Sequence, residues 1–192
     1  MSVTRSQLKV ALGLANDLRG IGYSVIIAGG FARDVYFDEP PKDIDIVVAS
    51  QSIHEDPAEA HRALSHVLDQ LLIEHVGFRM YSESVSDRLV GGFKCVGNLD
   101  VVLYDVKEAT EAVDAFDFNL NQFVVMRDES IESAYVVYAG DTSWHELTPV
   151  REDYSVARFG KMREKFINLT WRYPENEGPV RVNLKDALLS LK

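Results

Sequence analysis

Three carboxylates and a pair of glycines carry most of the chemistry available to this sequence. Asp43 and Asp45 stand two residues apart in Asp43-Ile44-Asp45-Ile46-Val47-Val48, where β-branched residues in alternation predict a strand. Successive strand residues point to opposite faces, so both acids share one face, their Cα atoms roughly 6–7 Å apart. Two carboxylates at that spacing repel, and repulsion raises one pKa. A cation such as Mg²⁺ relieves the conflict, because it takes hard oxygen ligands and is usually held by one or two carboxylates together with substrate phosphates. Upstream, the apolar run Val25-Ile26-Ile27-Ala28 reads as a buried strand and leads into Gly29-Gly30. Paired glycines let the chain turn tightly and leave no side chain between the backbone N–H groups and a bound anion.

The elements that must position these residues follow from local signals. Phe31 to Phe37 reads as a short helix, stopped by Asp38-Glu39-Pro40-Pro41. Asn98 to Asp105 reads as a strand. It places Asp100 in otherwise apolar company, where a carboxylate needs a partner, so Asp100 is the candidate third acid. Asp105 falls on the opposite face of a regular strand. Gly77 to Glu83 and Arg88 to Val96 are expected in the same sheet. Thr4-Arg5-Ser6-Gln7 forms a capping box before an amphipathic helix, and Asp56-Pro57 starts a second long helix. On that helix His61 and His66 lie five apart, a poor spacing for one metal, and both are read as surface residues. Val106 to Ala115 is expected as a short helix. Gln122 to Met126 and Ala134 to Tyr138 are expected as a hairpin. A helix from about Asp153 to Asn168 would set Arg158, Lys161 and Lys165 on one face, and Asn183 to Leu191 would close the chain as a short helix.

Composition narrows the classes. The chain has 192 residues, 46% of them hydrophobic, enough for one core with a small appendage. No apolar run approaches the roughly 18 residues of a membrane span. The N-terminal segment carries Lys9, Asn16 and Asp17 within an amphipathic pattern, unlike a signal peptide. Cys95 is the single cysteine, which excludes an internal disulfide, fits a reducing cytoplasm and is read as a buried small hydrophobe. The net charge is −10, with 20 Lys and Arg against 30 Asp and Glu. Proteins that grip many phosphates carry a basic face, so the balance argues against broad duplex or tRNA binding and favours a small substrate held through a metal, or a basic partner.

The order Gly-Gly, short helix, Asp-x-Asp resembles the signature of the polymerase β-like nucleotidyltransferases. Gly29-Gly30-Phe31-Ala32-Arg33-Asp34, then Lys42-Asp43-Ile44-Asp45, is similar to the head domain of CCA-adding enzymes and bacterial poly(A) polymerases, with its Gly-Gly-x-x-Arg-Asp and Lys-Asp-x-Asp. Phe116-Asp117-Phe118-Asn119-Leu120-Asn121 resembles the Arg-Arg-Asp-Phe-Thr-x-Asn block of that group. Asp117, Phe118 and Asn121 match, Ala115 and Phe116 stand in place of the two arginines, and Asn119 replaces Thr. The likeness covers residues 22 to 122 well and 150 to 168 weakly. A Glu-Asp-x-x-Arg block is absent, since Val156 stands three residues after Asp153.

The resemblance implies an α/β (α+β) nucleotidyltransferase fold, a mixed sheet flanked by helices. Residues 1–150 would form the catalytic domain and 151–192 a short helical C-terminal segment. It implies Mg²⁺ or Mn²⁺ on Asp43, Asp45 and Asp100, and transfer of a nucleoside monophosphate from an NTP to an acceptor hydroxyl with release of pyrophosphate. Gly29 and Gly30 would offer N–H groups to the phosphates. Arg33 would reach a phosphate or pair with Asp34. Asp117 and Asn121 would lie beside the ribose, and Arg158 and Lys161 would face the nucleotide or form a solvated basic face. The acceptor stays open: an RNA 3′ end, a protein or a small molecule. So do two other classes, a toxin or effector that modifies tRNA or protein, and a nucleotide-binding module without turnover.

Overall fold

A computed structural model describes residues 2–79, 87–174 and 178–187. Helix α1 (Arg5–Gly20) opens on the capping box read from the sequence: the Thr4 side chain accepts from the Gln7 amide, and the Gln7 side chain accepts from the Thr4 amide. Its Leu8, Ala11, Leu12, Ala15 and Leu18 are buried, the stripe that helical periodicity predicts. Strand β1 (Val25–Ile27), helix α2 (Gly30–Tyr36) and strand β2 (Ile44–Ala49) follow. Helix α3 (Pro57–Gln70) starts with the Asp56 side chain accepting from the amides of Ala58 and Glu59. Strands β3 (His75–Arg79), β4 (Leu89–Cys95) and β5 (Leu99–Tyr104) complete a five-stranded sheet of order β1-β2-β5-β4-β3. Of its pairings, only β2 with β5 is parallel.

The two faces of this sheet differ in role. Ile44, Ile46 and Val48 of β2 and Leu99, Val101 and Leu103 of β5 bury against the helices in the main core. The intervening residues form rungs on the other face: Asp45 beside Asp100, Val47 beside Val102, Ala49 beside Tyr104. A smaller apolar cluster, including Val47, Ala49 and Val113, seals one end of that face. Its lid is the segment expected as a helix from Val106, which instead forms a 3-10 helix confined to Ala109–Ala115.

Strands β6 (Phe123–Met126) and β7 (Tyr135–Tyr138) form the expected hairpin, and β8 (Val182–Asn183) joins its edge. The buried Asp128 in the hairpin turn pairs with Arg19 at the end of α1, 2.6 Å away. Helix α4 (Val156–Thr170) contributes Met162 and Leu169 to the main core. Helix α5 (Leu184–Ala187) is the described part of the expected closing helix. The remainder of that helix, and the expected strand beyond Arg79, lie outside the described residues.

Two sequence expectations fail on burial. His61 is a buried residue of α3 rather than a surface one, its ring stacked on Phe93 at 4.3 Å between centroids and its Nε2 against the Phe78 carbonyl. His66 is exposed as expected. Cys95 is half-buried rather than buried. Burial pushes its thiol up to about 11, so it is a poor nucleophile.

Candidate active site

Strand β1 ends at Ile27, and two residues on Gly29 takes φ +86, a conformation that side-chain-bearing residues rarely adopt. The turn delivers the chain into α2 and opens on a cleft of about 580 Å³. Gly29 donates its amide to the Phe123 carbonyl at 2.9 Å, which corrects the expectation that this N–H is available to a phosphate. What the glycines supply is an opening without side chains.

Across the cleft, β2 and β5 present the acids. Asp43 is exposed at the residue before β2, Asp45 is partly buried within it, and Asp100 is buried at 8% exposure in the neighbouring position on β5. Burial raises the Asp45 carboxyl to about 7, with the charges of Asp43 and Asp100 adding to the effect and those of Lys94 and Arg33 opposing it. The three acids therefore share one electrostatic environment, although among the described residues no three His, Cys, Asp or Glu side chains close into a metal cage. The donor chemistry suits a hard cation all the same. An oxygen-only set whose like charge Lys94 and Arg33 relieve only in part is what Mg²⁺ neutralises, and substrate oxygens can complete the coordination.

The cations stand on α2 and α4 and divide into two groups. Arg33, 5% exposed, donates from Nε to Asp34 at 2.8 Å and from Nη1 to Asn121 at 2.6 Å. Of the two roles open to Arg33, the structure shows the pairing with Asp34. Asn121 donates in turn to Asp117 at 2.9 Å, and Asp117 accepts from Arg158 Nε at 2.6 Å. Burial works against the Asp117 charge, but the hydrogen bond and charge of Arg158, with help from Asn121 and the Phe118 amide, outweigh it and hold the carboxyl below its usual range. The result is one connected relay, Asp34–Arg33–Asn121–Asp117–Arg158, which ties α2 and the Asn119–Asn121 turn to α4.

Lys161 and Lys165 also line the cleft, and neither makes an ion pair among the described residues. Burial lowers the pKa of Lys165, and the charges of Arg33, Lys42 and Lys161 lower it further against the pull of Asp34.

Eight of the ten residues singled out from the sequence border this cleft. Asp43 and Asp100 do not line it and act on it through Asp45. Sequence reasoning set Lys165 on the basic face of its helix without giving it a place in the site, and missed three other positions. Arg151 lines the cleft with its Nε buried and without a hydrogen-bond partner among the described residues. Tyr104, with Phe116 at 6.0 Å between ring centroids, gives the cleft an aromatic wall. Lys94 pairs with Asp100 across the sheet. The last three depend on register or loop docking, which no local pattern encodes. Asn119 serves the structure instead. Its side chain donates to the Ser143 and Glu146 carbonyls and accepts from the Thr148 amide, anchoring the 140–149 loop.

This architecture, a five-stranded mixed sheet flanked by helices, is similar in fold to solved nucleotidyltransferases. Among solved structures, a CCA-adding enzyme in its apo form I superposes with a TM-score of 0.52 at 14% identity, over 97% of this chain and 42% of that one. The Bacillus stearothermophilus CCA-adding enzyme in complex with CTP gives a TM-score of 0.46 at 17% identity, over 85% of this chain and 39% of that one. The Thermotoga maritima enzyme complexed with tRNA gives 0.43 at 17%, over 65% and 27%. The chain thus spans between 27% and 42% of the length of these enzymes. No family profile matches the sequence, and no curated protein does. No helix among the described residues is long and apolar enough to cross a membrane.

Proposed function

We propose that this chain is a metal-dependent nucleotidyltransferase, transferring a nucleoside monophosphate from an NTP to an acceptor hydroxyl and releasing pyrophosphate. The observation that carries the reading is Asp45 in the cleft onto which the glycine turn opens, with Asp100 beside it on parallel β2 and β5 and Asp43 adding its charge. Asp43, Asp45 and Asp100 are the residues toward which Mg²⁺ or Mn²⁺ would bind, supplying charge neutralisation at the phosphates and a lowered pKa for the attacking hydroxyl.

The chain's own groups do the rest. Lys161 and Lys165 bind the phosphate tail, because both line the cleft without an ion pair among the described residues, and burial and neighbouring cations already work against the Lys165 charge. The Gly29–Gly30 turn lets the polyphosphate approach the backbone. The relay from Arg33 to Arg158 fixes α4 over the cleft, so the phosphate-binding lysines and the acids keep their separation. Asn121 and Asp117, already engaged with each other, border the nucleoside side. As the acceptor oxygen bonds to the α-phosphorus and the bond to pyrophosphate breaks, the hydroxyl proton passes to a carboxylate oxygen of the acid group. Residues 1–150 form the catalytic unit, and the segment from 151 walls the cleft.

In a chain of net charge −10, cations gathered at one cleft support a small phosphorylated substrate over broad duplex binding. The acceptor is an RNA 3′ end, a protein or a small molecule. Incubation with each α-labelled NTP and Mg²⁺ tests the reading. Pyrophosphate release that disappears in Asp43→Ala/Asp45→Ala is expected. Turnover retained in that folded double variant would refute it, and NTP binding without release would favour a nucleotide-binding module.

A further inference from the structure

Asp100 already has a cation. Lys94 lies opposite it in the antiparallel β4–β5 register, and the Lys94 ammonium donates directly to Asp100 Oδ2. The arrangement is braced from the next strand, since the Phe78 ring centroid on β3 lies 5.9 Å from the same nitrogen. The Lys94 side chain is 65% exposed while that of Asp100 is 12% exposed, so the lysine reaches in from solvent to cover a carboxylate that is itself enclosed. Asp45 and Asp43 lie within range of the same ammonium, and at Asp45 it opposes the other two acids more strongly than Arg33 does.

We propose that Lys94 is a built-in cation for the acid group: it occupies Asp100, so that the chain takes one divalent ion through Asp43 and Asp45 and no second ion on Asp100. The inference rests on the metal-binding part of the function proposed above, and it narrows that reading: it withdraws Asp100 from the set of acids named there and fixes one ion on Asp43 and Asp45. Lys94 is a positioning residue, acting on the site through Asp100. An ammonium and a divalent cation on the same carboxylate oxygen repel each other, and the more so where the carboxylate is enclosed, as Asp100 is. Removing the ammonium frees a buried carboxylate beside a second one, which is a cation site in its own right.

Titrating Mn²⁺ into the protein and following free ion by electron paramagnetic resonance counts the sites without reference to turnover. Wild type is expected to bind one Mn²⁺. Lys94→Met keeps the stem against Phe78 and removes the charge. It is expected to bind a second ion, or to bind the first at least about tenfold more tightly. Lys94→Arg restores the wild-type count, and Lys94→Met/Asp100→Asn loses the gain. Lys94→Gln replaces the methionine variant should the latter fail to fold. Equal stoichiometry and affinity in wild type and the neutral variants would overturn the inference, as would two ions in wild type. No binding by any of them would overturn it together with the metal assignment. The gain in Mn²⁺ binding without nucleotidyl transfer by wild type would overturn the proposed function alone.

Discussion

The two sides of the cleft are built on opposite plans. The acid side is a pair of parallel strands whose register brings Asp45 and Asp100 together and leaves them no freedom to separate. Its repulsion is relieved only from outside, by Lys94 and Arg33. The cation side is two helices, α2 and α4, and the turn between them in the relay. There, most charge is consumed internally by the relay from Asp34 through Arg33, Asn121 and Asp117 to Arg158, leaving Lys161 and Lys165 over. One side holds excess negative charge on rigid backbone, and the other holds excess positive charge on two lysines without ion-pair partners among the described residues. In the function proposed above, a metal-bound polyphosphate would neutralise both.

The sharpest way to break this contrast is on the acid side. Asp43→Asn/Asp45→Asn should lower turnover by at least roughly 10³-fold, the scale on which electrostatic stabilisation of a transition state is lost. Its melting temperature should stay at or above the wild-type value, because a repulsion has been removed; steady-state kinetics and thermal melts check both. On the cation side, Lys161→Met/Lys165→Met should raise the KM for NTP roughly 10–100-fold, as two charge-assisted contacts are lost. It should also leave the fold unharmed or firmer, since the lowered Lys165 pKa marks a charge held at a cost. Arg158→Ala attacks the relay instead and should behave in the opposite sense. It should destabilise the fold by about 1–3 kcal/mol in denaturant titrations, the scale for leaving a partly buried charged partner unsatisfied.

The smallest effect is a slope. Asp45 has a folded-state pKa near 7 against an ordinary 3.8, so between those values the folded state holds more protons than the unfolded one. Its contribution to stability therefore falls as pH rises from about 4 to 7. Asp45→Asn should flatten the melting temperature against pH across that window, and saturating Mg²⁺ should flatten it in wild type. An unchanged slope in the variant would mean that Asp45 is not the group responsible.

Local features were legible in the sequence. The capping residues Thr4 and Asp56 and the β1–glycine turn all follow from neighbours within a few positions. Asp100 was legible because a lone acid in an apolar strand demands a partner. Its actual partner was not, because Lys94 meets it only through the β4–β5 register. Arg151 and the ring of Phe116 reach the cleft by loop docking, which leaves no periodic trace. His61 carried an overlooked signal: it stands three residues before Leu64 and seven before Leu68, on the buried face of α3. Its polarity suggested solvent, but stacking on Phe93 and a contact with the Phe78 carbonyl satisfy it indoors. The 3-10 geometry of Ala109–Ala115 was equally hidden, since a helical pattern does not distinguish the two windings over so few residues.

Calorimetric titration of a non-hydrolysable NTP analogue, with and without Mg²⁺, reaches the complementarity of the two sides most directly. Binding in wild type should require Mg²⁺ and should vanish both in Asp43→Asn/Asp45→Asn and in Lys161→Met/Lys165→Met. Metal-independent binding of equal strength in all three proteins would contradict it.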